Sequence, residues 1–389
     1  MTYSKVYIFV LLAVIAASLA ACSIEPTIDD YDMYIAIYEN DDITKHTIAR
    51  VYKNKSLIFE GEDDASISYS NFKFENGHVY CIKVTYDETT QKYNREMLKD
   101  FQLFSDLNFL YDSRFTPRII GYSNEHYIYC SQSRNANNGY HPNDYSYNSP
   151  EPIIIRQFGK DDSEFCVLNT PQTLLNNHTV SLMYLDPRNK DYYFLGSATM
   201  SHSDICSGSP RFFDVYWKNG VEHVMPNNYS DIPEKYMSFS NYHASCQIFK
   251  NKVVFGGYAY YWCGQTRTFL HNPTERIQDI VENNGSLYVL ATDEVIEEDN
   301  AGNRIHYYKN AYIYKDGQLV YENNATYSPK DLHVINGDFY FSAIDISVKF
   351  HPFTIWKNNE VIAEYGNVDI KLDSDMLYYY TSVFRLVHK

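Results

Sequence analysis

The sequence predicts an all-β fold, a β-propeller of about seven four-stranded blades, with six or eight as the alternatives. Three observations lead there. Short alternating strands with a central Tyr or Phe recur along the chain. Turns rich in Asn, Gly and Asp separate them. No Pro/Gly/Ser-rich linker divides the body. Seven hairpin-like stretches carry the first pattern, beginning at Phe72, Arg118, Ser181, Cys246, Asp279, His333 and Ile370. Their turns include Asn76-Gly77, Asn284-Gly285 and Asn336-Gly337, pairs that supply the positive φ a tight hairpin needs.

A second pattern interleaves with the first: an aromatic, then Lys, then Asn or Asp, then a short strand. It stands at Val51, Val215, Ile313 and Thr354, with a weaker copy at Arg156 and degenerate copies near 101–111 and 266–272. Two hairpins make a four-stranded unit. From Tyr80 to Tyr379 the repeat averages about 50 residues, near the spacing of propeller blades. An isolated four-stranded sheet of this kind exposes its apolar faces, and radial stacking buries them. The chain opens with a second-pattern hairpin near 51–59 and closes with a first-pattern hairpin near 370–381. Those halves are expected to complete one blade and close the ring. The competing layout is a tandem of two β-sandwiches. The stretch Tyr93–Phe101 reads as the one short helix.

Composition sets the class. The chain has 389 residues, 44% of them hydrophobic, and a formal charge of −16. That apolar content supports a sizeable core. The acidity argues against nucleic acid, whose phosphates need a basic footprint.

The N-terminus carries an address. Lys5 precedes an apolar run from Val6, and small residues follow, the layout of a secretory signal. The run is shorter than the ~20 residues of a membrane span. Leu19-Ala20-Ala21-Cys22 resembles the lipobox of bacterial lipoproteins. That resemblance implies removal of residues 1–21, acylation of Cys22 and a lipid anchor in the outer membrane, with the periplasmic or cell-surface face left open. Each buried methylene of the anchor contributes roughly 0.8 kcal/mol. Residues 22–33 read as lipidated Cys and tether, and 34–389 as a single domain. The second-pattern turns, together with the lipobox, resemble propeller-type lipoproteins of Bacteroidota, a likeness that implies a fold and no activity.

Candidate sites are few. The remaining cysteines are Cys81, Cys130, Cys166, Cys206, Cys246 and Cys263. A secreted compartment permits bridges among them, with the pairing open, and small buried strand residues are the competing role. No H-E-x-x-H, C-x-x-C or G-x-S-x-G is present, so no metal, cofactor or catalytic residue is assigned. Asp204, Asp214, Asp279 and Asp345 are the acids a glycoside hydrolase or polysaccharide lyase would draw on. Tyr258, Tyr260, Tyr261 and Trp262 are the expected ligand contacts, as aromatic planes for sugar or protein. The expected role is a binding or scaffold module for a glycan, peptide or envelope partner. A polysaccharide-cleaving enzyme and a purely structural envelope protein are the alternatives.

Overall fold

The computed structural model describes residues 27–40, 47–63, 67–75, 77–106, 115–123, 126–133, 153–158, 163–168, 177–186, 191–199, 212–219, 221–226, 245–257, 259–272, 274–298, 304–344, 351–368 and 383–389. They form seven four-stranded antiparallel sheets.

The first sheet joins the two ends of the chain. It holds β1 (Tyr31–Asn40), β2 (Thr47–Lys53), β3 (Ser56–Asp63) and β28 (Val383–His388), in the order β28-β1-β2-β3. The other six follow the chain four strands at a time. The second holds β4 (Ile67–Glu75), β5 (His78–Asp87), β6 (Lys92–Lys99) and β7 (Gln102–Asp106). The third holds β8 (Phe115–Ser123), β9 (His126–Ser133), β10 (Ile153–Phe158) and β11 (Ser163–Leu168). The fourth holds β12 (Asn177–Leu185), β13 (Tyr192–Thr199), β14 (Phe212–Lys218) and β15 (Val221–Val224). The fifth holds β16 (Ser245–Phe249), β17 (Lys252–Gly256), β18 (Tyr260–Cys263) and β19 (Thr266–Phe269). The sixth holds β20 (Glu275–Asn283), β21 (Ser286–Glu298), β22 (Arg304–Lys315) and β23 (Gln318–Tyr327). The seventh holds β24 (Lys330–Ile335), β25 (Asp338–Ile344), β26 (His351–Lys357) and β27 (Glu360–Val368).

Alternation explains the packing. In β1, Tyr34, Ala36 and Tyr38 face the second sheet, where they meet Phe72, Phe74 and Val79. Ile35 and Ile37 point the other way and pack with Tyr340, Phe353 and Phe384. A strand buried on both faces therefore joins two neighbouring sheets. Further clusters fill the gaps between the fourth and fifth, fifth and sixth, and sixth and seventh sheets. Burying a side chain such as Phe384 contributes about 1.5–3 kcal/mol. First strands lie next to first strands: β4 beside β8, β8 beside β12, β12 beside β16, β16 beside β20, β20 beside β24, β24 beside β28, and β28 beside β4.

Three expectations need correction. The supposed helix at 93–101 is the β6–β7 hairpin, turned by Asp100 and Phe101 at φ 49° and 64°. Arg95, Glu96 and Met97 are good helix formers, but the pairing of β6 with β5 overrides that preference. The tether is shorter than expected: Ile28–Asp30 form a 3-10 turn and Tyr31 already pairs with His388. The two chain ends do share a sheet, but as three strands plus one. Its C-terminal strand is Val383–His388, and residues 370–381 lie outside the described residues.

Candidate functional site

The repeated aromatic-Lys-Asn motif proves to be a hairpin lock. Asn54, Asp100, Asp316 and Asn358 each take a positive φ at the turn before the fourth strand. Each donates its backbone N–H to the second strand, to the carbonyls of Met33, Val79, Leu287 and Phe339. Each side-chain Oδ1 accepts the N–H of that same residue, at 2.8, 3.0, 2.9 and 2.9 Å. The Lys before the turn ties in an acid. Lys53 pairs with Asp32, Lys218 with Asp191 and Lys357 with Asp338, at 2.8, 2.6 and 2.8 Å. The same lysines lie over the rings of Tyr34, Tyr193 and Tyr340. Hydrogen bonds from Lys, then from Asn54, Asn219 and Asn358, hold these three carboxyls below their ordinary range. The motif that makes the repeat visible is thus consumed in building it.

The predicted aromatic contacts are mostly interior. Tyr261 and Trp262 are 4% and 2% exposed. Tyr261 packs with Val254 and Leu270. Trp262 donates its indole N–H to Asp214 Oδ2 at 2.7 Å, and half-buried Tyr260 donates its hydroxyl to the same oxygen at 2.9 Å. The Arg267 guanidinium sits over Tyr260, Trp262 and Phe269 at 5.1, 4.8 and 5.7 Å. Side chains of β18 alternate between the two faces of its sheet, so Trp262 is covered by the fourth sheet and Tyr261 by the sixth, with Arg267 over Tyr260 and Trp262. They do not form an open stacking platform. Tyr258 lies outside the described residues.

Of the candidate acids, Asp204 and Asp345 also lie outside them. Asp279 is part of a contact repeated between first strands. Its Oδ2 accepts the Leu332 N–H at 2.9 Å, and its Oδ1 accepts Ser245 Oγ–H and the Ile280 N–H, each at 2.8 Å. One sheet further on, Asp331 Oδ2 accepts the Phe384 N–H at 2.9 Å, and Oδ1 accepts from Arg385 at 3.1 Å. His333 Nε2 accepts the Leu386 N–H at 3.3 Å. Asp279–Leu332, Asp331–Phe384 and His333–Leu386 are each 53 residues apart. β20 and β24 thus each hold backbone amides of the first strand in the next sheet. Burial raises the Asp279 carboxyl and lowers the Lys330 ammonium. Burial, helped by Arg385, pushes His333 down to about 3, which keeps its ring neutral as an acceptor.

A second polar network was missed from sequence. It lies in the sixth sheet, at the end away from the two-residue turns. Glu275, fully buried, accepts from Tyr314 Oη at 2.6 Å and the Asn272 N–H at 2.8 Å. Asp293 accepts from Tyr312, Asn310 and Thr274 at 2.8, 3.0 and 3.2 Å. Arg276 grips Glu294 through two nitrogens and donates to Tyr308. Burial raises Glu275 and, helped by Asp293, pushes Tyr312 up to about 12. This carboxylate pair resembles a catalytic dyad in composition, but every oxygen already receives a donor. Its members come from three strands, so only the register brings them together.

Cys81, Cys246 and Cys263 are free thiols in strands, the first two buried, with Cys81 pushed up to about 12 by burial. They form no bridge. The side chains of Cys130, Cys166 and Cys206 lie outside the described residues, as does Cys22. Among the described residues no group of three His, Cys, Asp or Glu is placed to hold a metal ion.

The chain matches no family model and no curated protein sequence. Among solved structures it is similar to a eukaryotic initiation factor at 7% identity, covering 91% of this chain and 98% of that one, TM-score 0.41. It is similar to the dihydro-heme d1 dehydrogenase NirN at 8% identity, covering 89% and 75%, TM-score 0.37. It is also similar to prolyl oligopeptidase B from Galerina marginata at 8% identity, covering 88% and 52%, TM-score 0.37. Likenesses this distant assign no activity, and the fold rests on the strand pairing.

Proposed function

We propose that this chain is an outer-membrane lipoprotein, anchored through acylated Cys22, whose body is a closed seven-bladed propeller. Its role is to bind or scaffold a glycan, a peptide or another envelope protein. Support for the ring comes from the circuit of first-strand neighbours and from β28 completing the sheet of β1. Support for the anchor comes from the lipobox-like Leu19–Cys22 behind an apolar run.

One observation favours binding over catalysis: the five buried or half-buried acids nearest to a catalytic arrangement already accept hydrogen bonds from the protein itself. Asp279 and Asp331 hold backbone amides, Glu275 and Asp293 are saturated by tyrosine, amide and hydroxyl donors, and Asp214 anchors Trp262 and Tyr260. A general acid or a nucleophile needs a carboxyl oxygen open to substrate.

The test has two arms. Palmitate labelling of the whole chain should vanish in Cys22→Ser. A glycan-array screen of the fragment from Ser23, run beside a hydrolysis assay, should give binding without turnover. Turnover abolished by one Asp or Glu substitution would replace this reading with an enzyme.

A further inference from the structure

We propose that the protein lies on its membrane with the two-residue-turn end of the sheets against the lipid headgroups. This inference rests on the lipid anchor at Cys22.

The strand directions place the anchor. β1 starts at Tyr31, where its partner β28 finishes. Asp30 accepts the N–H of Lys389 at 2.9 Å, and Asn54, in the turn between β2 and β3, donates to Met33 at 2.8 Å. Tyr34 donates to the carbonyl of Gly77, in the turn between β4 and β5, at 3.2 Å. Residues 27–30 therefore leave the body at the same end as these turns. Cys22 is five residues before Thr27, and a fully extended chain spans at most ~3.5 Å per residue, so the anchoring residue lies within ~17 Å of that end.

The chemistry of the two ends agrees. The turn end is built from short polar pairs such as Asn54-Lys55, Lys250-Asn251, Asn284-Gly285 and Asn336-Gly337. Such turns make a low surface, and exposed Lys55, Lys250 and Lys252 stand on it. Of its carboxylates, Asp32, Asp191 and Asp338 each pair with a Lys, and Asp100, Glu282, Asp316 and Glu360 are offset by the exposed lysines, so this end is near charge balance. The opposite end carries exposed Glu62 and Glu88 and half-buried Asp87. An anionic headgroup layer attracts the lysine-bearing end and repels the acidic one. With so few linking residues the body cannot turn over freely, and the acidic end faces away from the bilayer.

The experiment uses the full lipidated chain on vesicles of phosphatidylcholine and phosphatidylglycerol. A small fraction of a lipid with an amine-reactive headgroup is included. Peptide mass spectrometry then reads adducts at Lys55, Lys250 and Lys252 against Lys92, an exposed lysine at the opposite end. A soluble amine-reactive reagent normalises intrinsic reactivity. The expected result is ~5-fold or greater preference for the three turn-end lysines, as a leash of ~17 Å requires. Equal labelling, or preference for Lys92, would overturn the orientation. Vesicle flotation of Cys22→Ser separates the two claims. If that variant floats with the same labelling pattern, the orientation stands and the anchor reading fails.

Discussion

Asp279 and Asp338 belong to adjacent sheets of one repeating fold, yet their surroundings drive them in opposite directions. Asp338 lies by a turn at the rim, where Lys357 and then Asn358 hold its carboxyl low. Asp279 lies on a first strand, where burial raises its carboxyl although backbone amides and Ser245 bond to it. The rim acid ties strands within one sheet. The inner acid ties one sheet to the next. A buried acceptor that loses its role leaves amides unpaired, whereas an exposed one leaves them to water, so the inner contacts carry more of the stability.

The largest effect should follow from removing an inner acceptor. Asp279→Ala strips partners from the Leu332 amide and Ser245, and should cost about 3 kcal/mol in denaturant unfolding. If it cost no more than a rim substitution, the distinction between regions would fail.

Next comes pH. The folded value of His333 is about 3 against an ordinary 6.5, so between those limits the unfolded chain binds the extra proton. Stability therefore rises with pH across that window and is lost on acidification through it. Asp279 has the opposite sign: its raised value makes stability fall as pH climbs above its ordinary 3.8. The lowered rim acids contribute fully above 3.8 and lose their contribution only as pH drops below it. His333→Gln should flatten the loss of stability between pH 6.5 and 4 in unfolding titrations, for the window set by that shift. An unchanged slope would remove His333 from the inner network.

A smaller effect is expected at the rim. Asn358→Ala loses the acceptor for the Phe339 amide and forces Ala to φ 51°, for about 1–2 kcal/mol. Asn358→Gly keeps the turn and should recover part of it. Asp338→Asn removes only a half-exposed ion pair and should cost about 0.5 kcal/mol. Equal losses for Asn358→Gly and Asn358→Ala would show that the hydrogen bond, not the turn, dominates.

These comparisons also show what could be read from the chain alone. Turns and alternation are local, so Asn284-Gly285 and Asn336-Gly337 marked their hairpins correctly. The second strand pattern was visible for the same reason, although its purpose, the Asp32–Lys53–Asn54 type of lock, needed the register. Asp279–Leu332 and Glu275–Tyr314 join residues whose proximity depends on sheet placement and strand pairing, and no spacing rule announces them. Tyr261 and Trp262 proved to be buried because aromatic content does not say which side of a ring is covered. In Tyr93–Phe101 local helix preference misled, since only the partner strand β5 decides between helix and hairpin.

The central claim is that Asp279 ties the sixth sheet to the seventh and Asp331 ties the seventh to the first, where the C-terminal strand pairs with β1. Amide hydrogen exchange over residues 383–388 tests it most directly. The account predicts slow exchange there in the wild type, comparable with residues 330–335, and a marked acceleration in both 383–388 and 31–36 on Asp331→Ala. Exchange of 383–388 in the wild type at the rate of an unstructured peptide would contradict it.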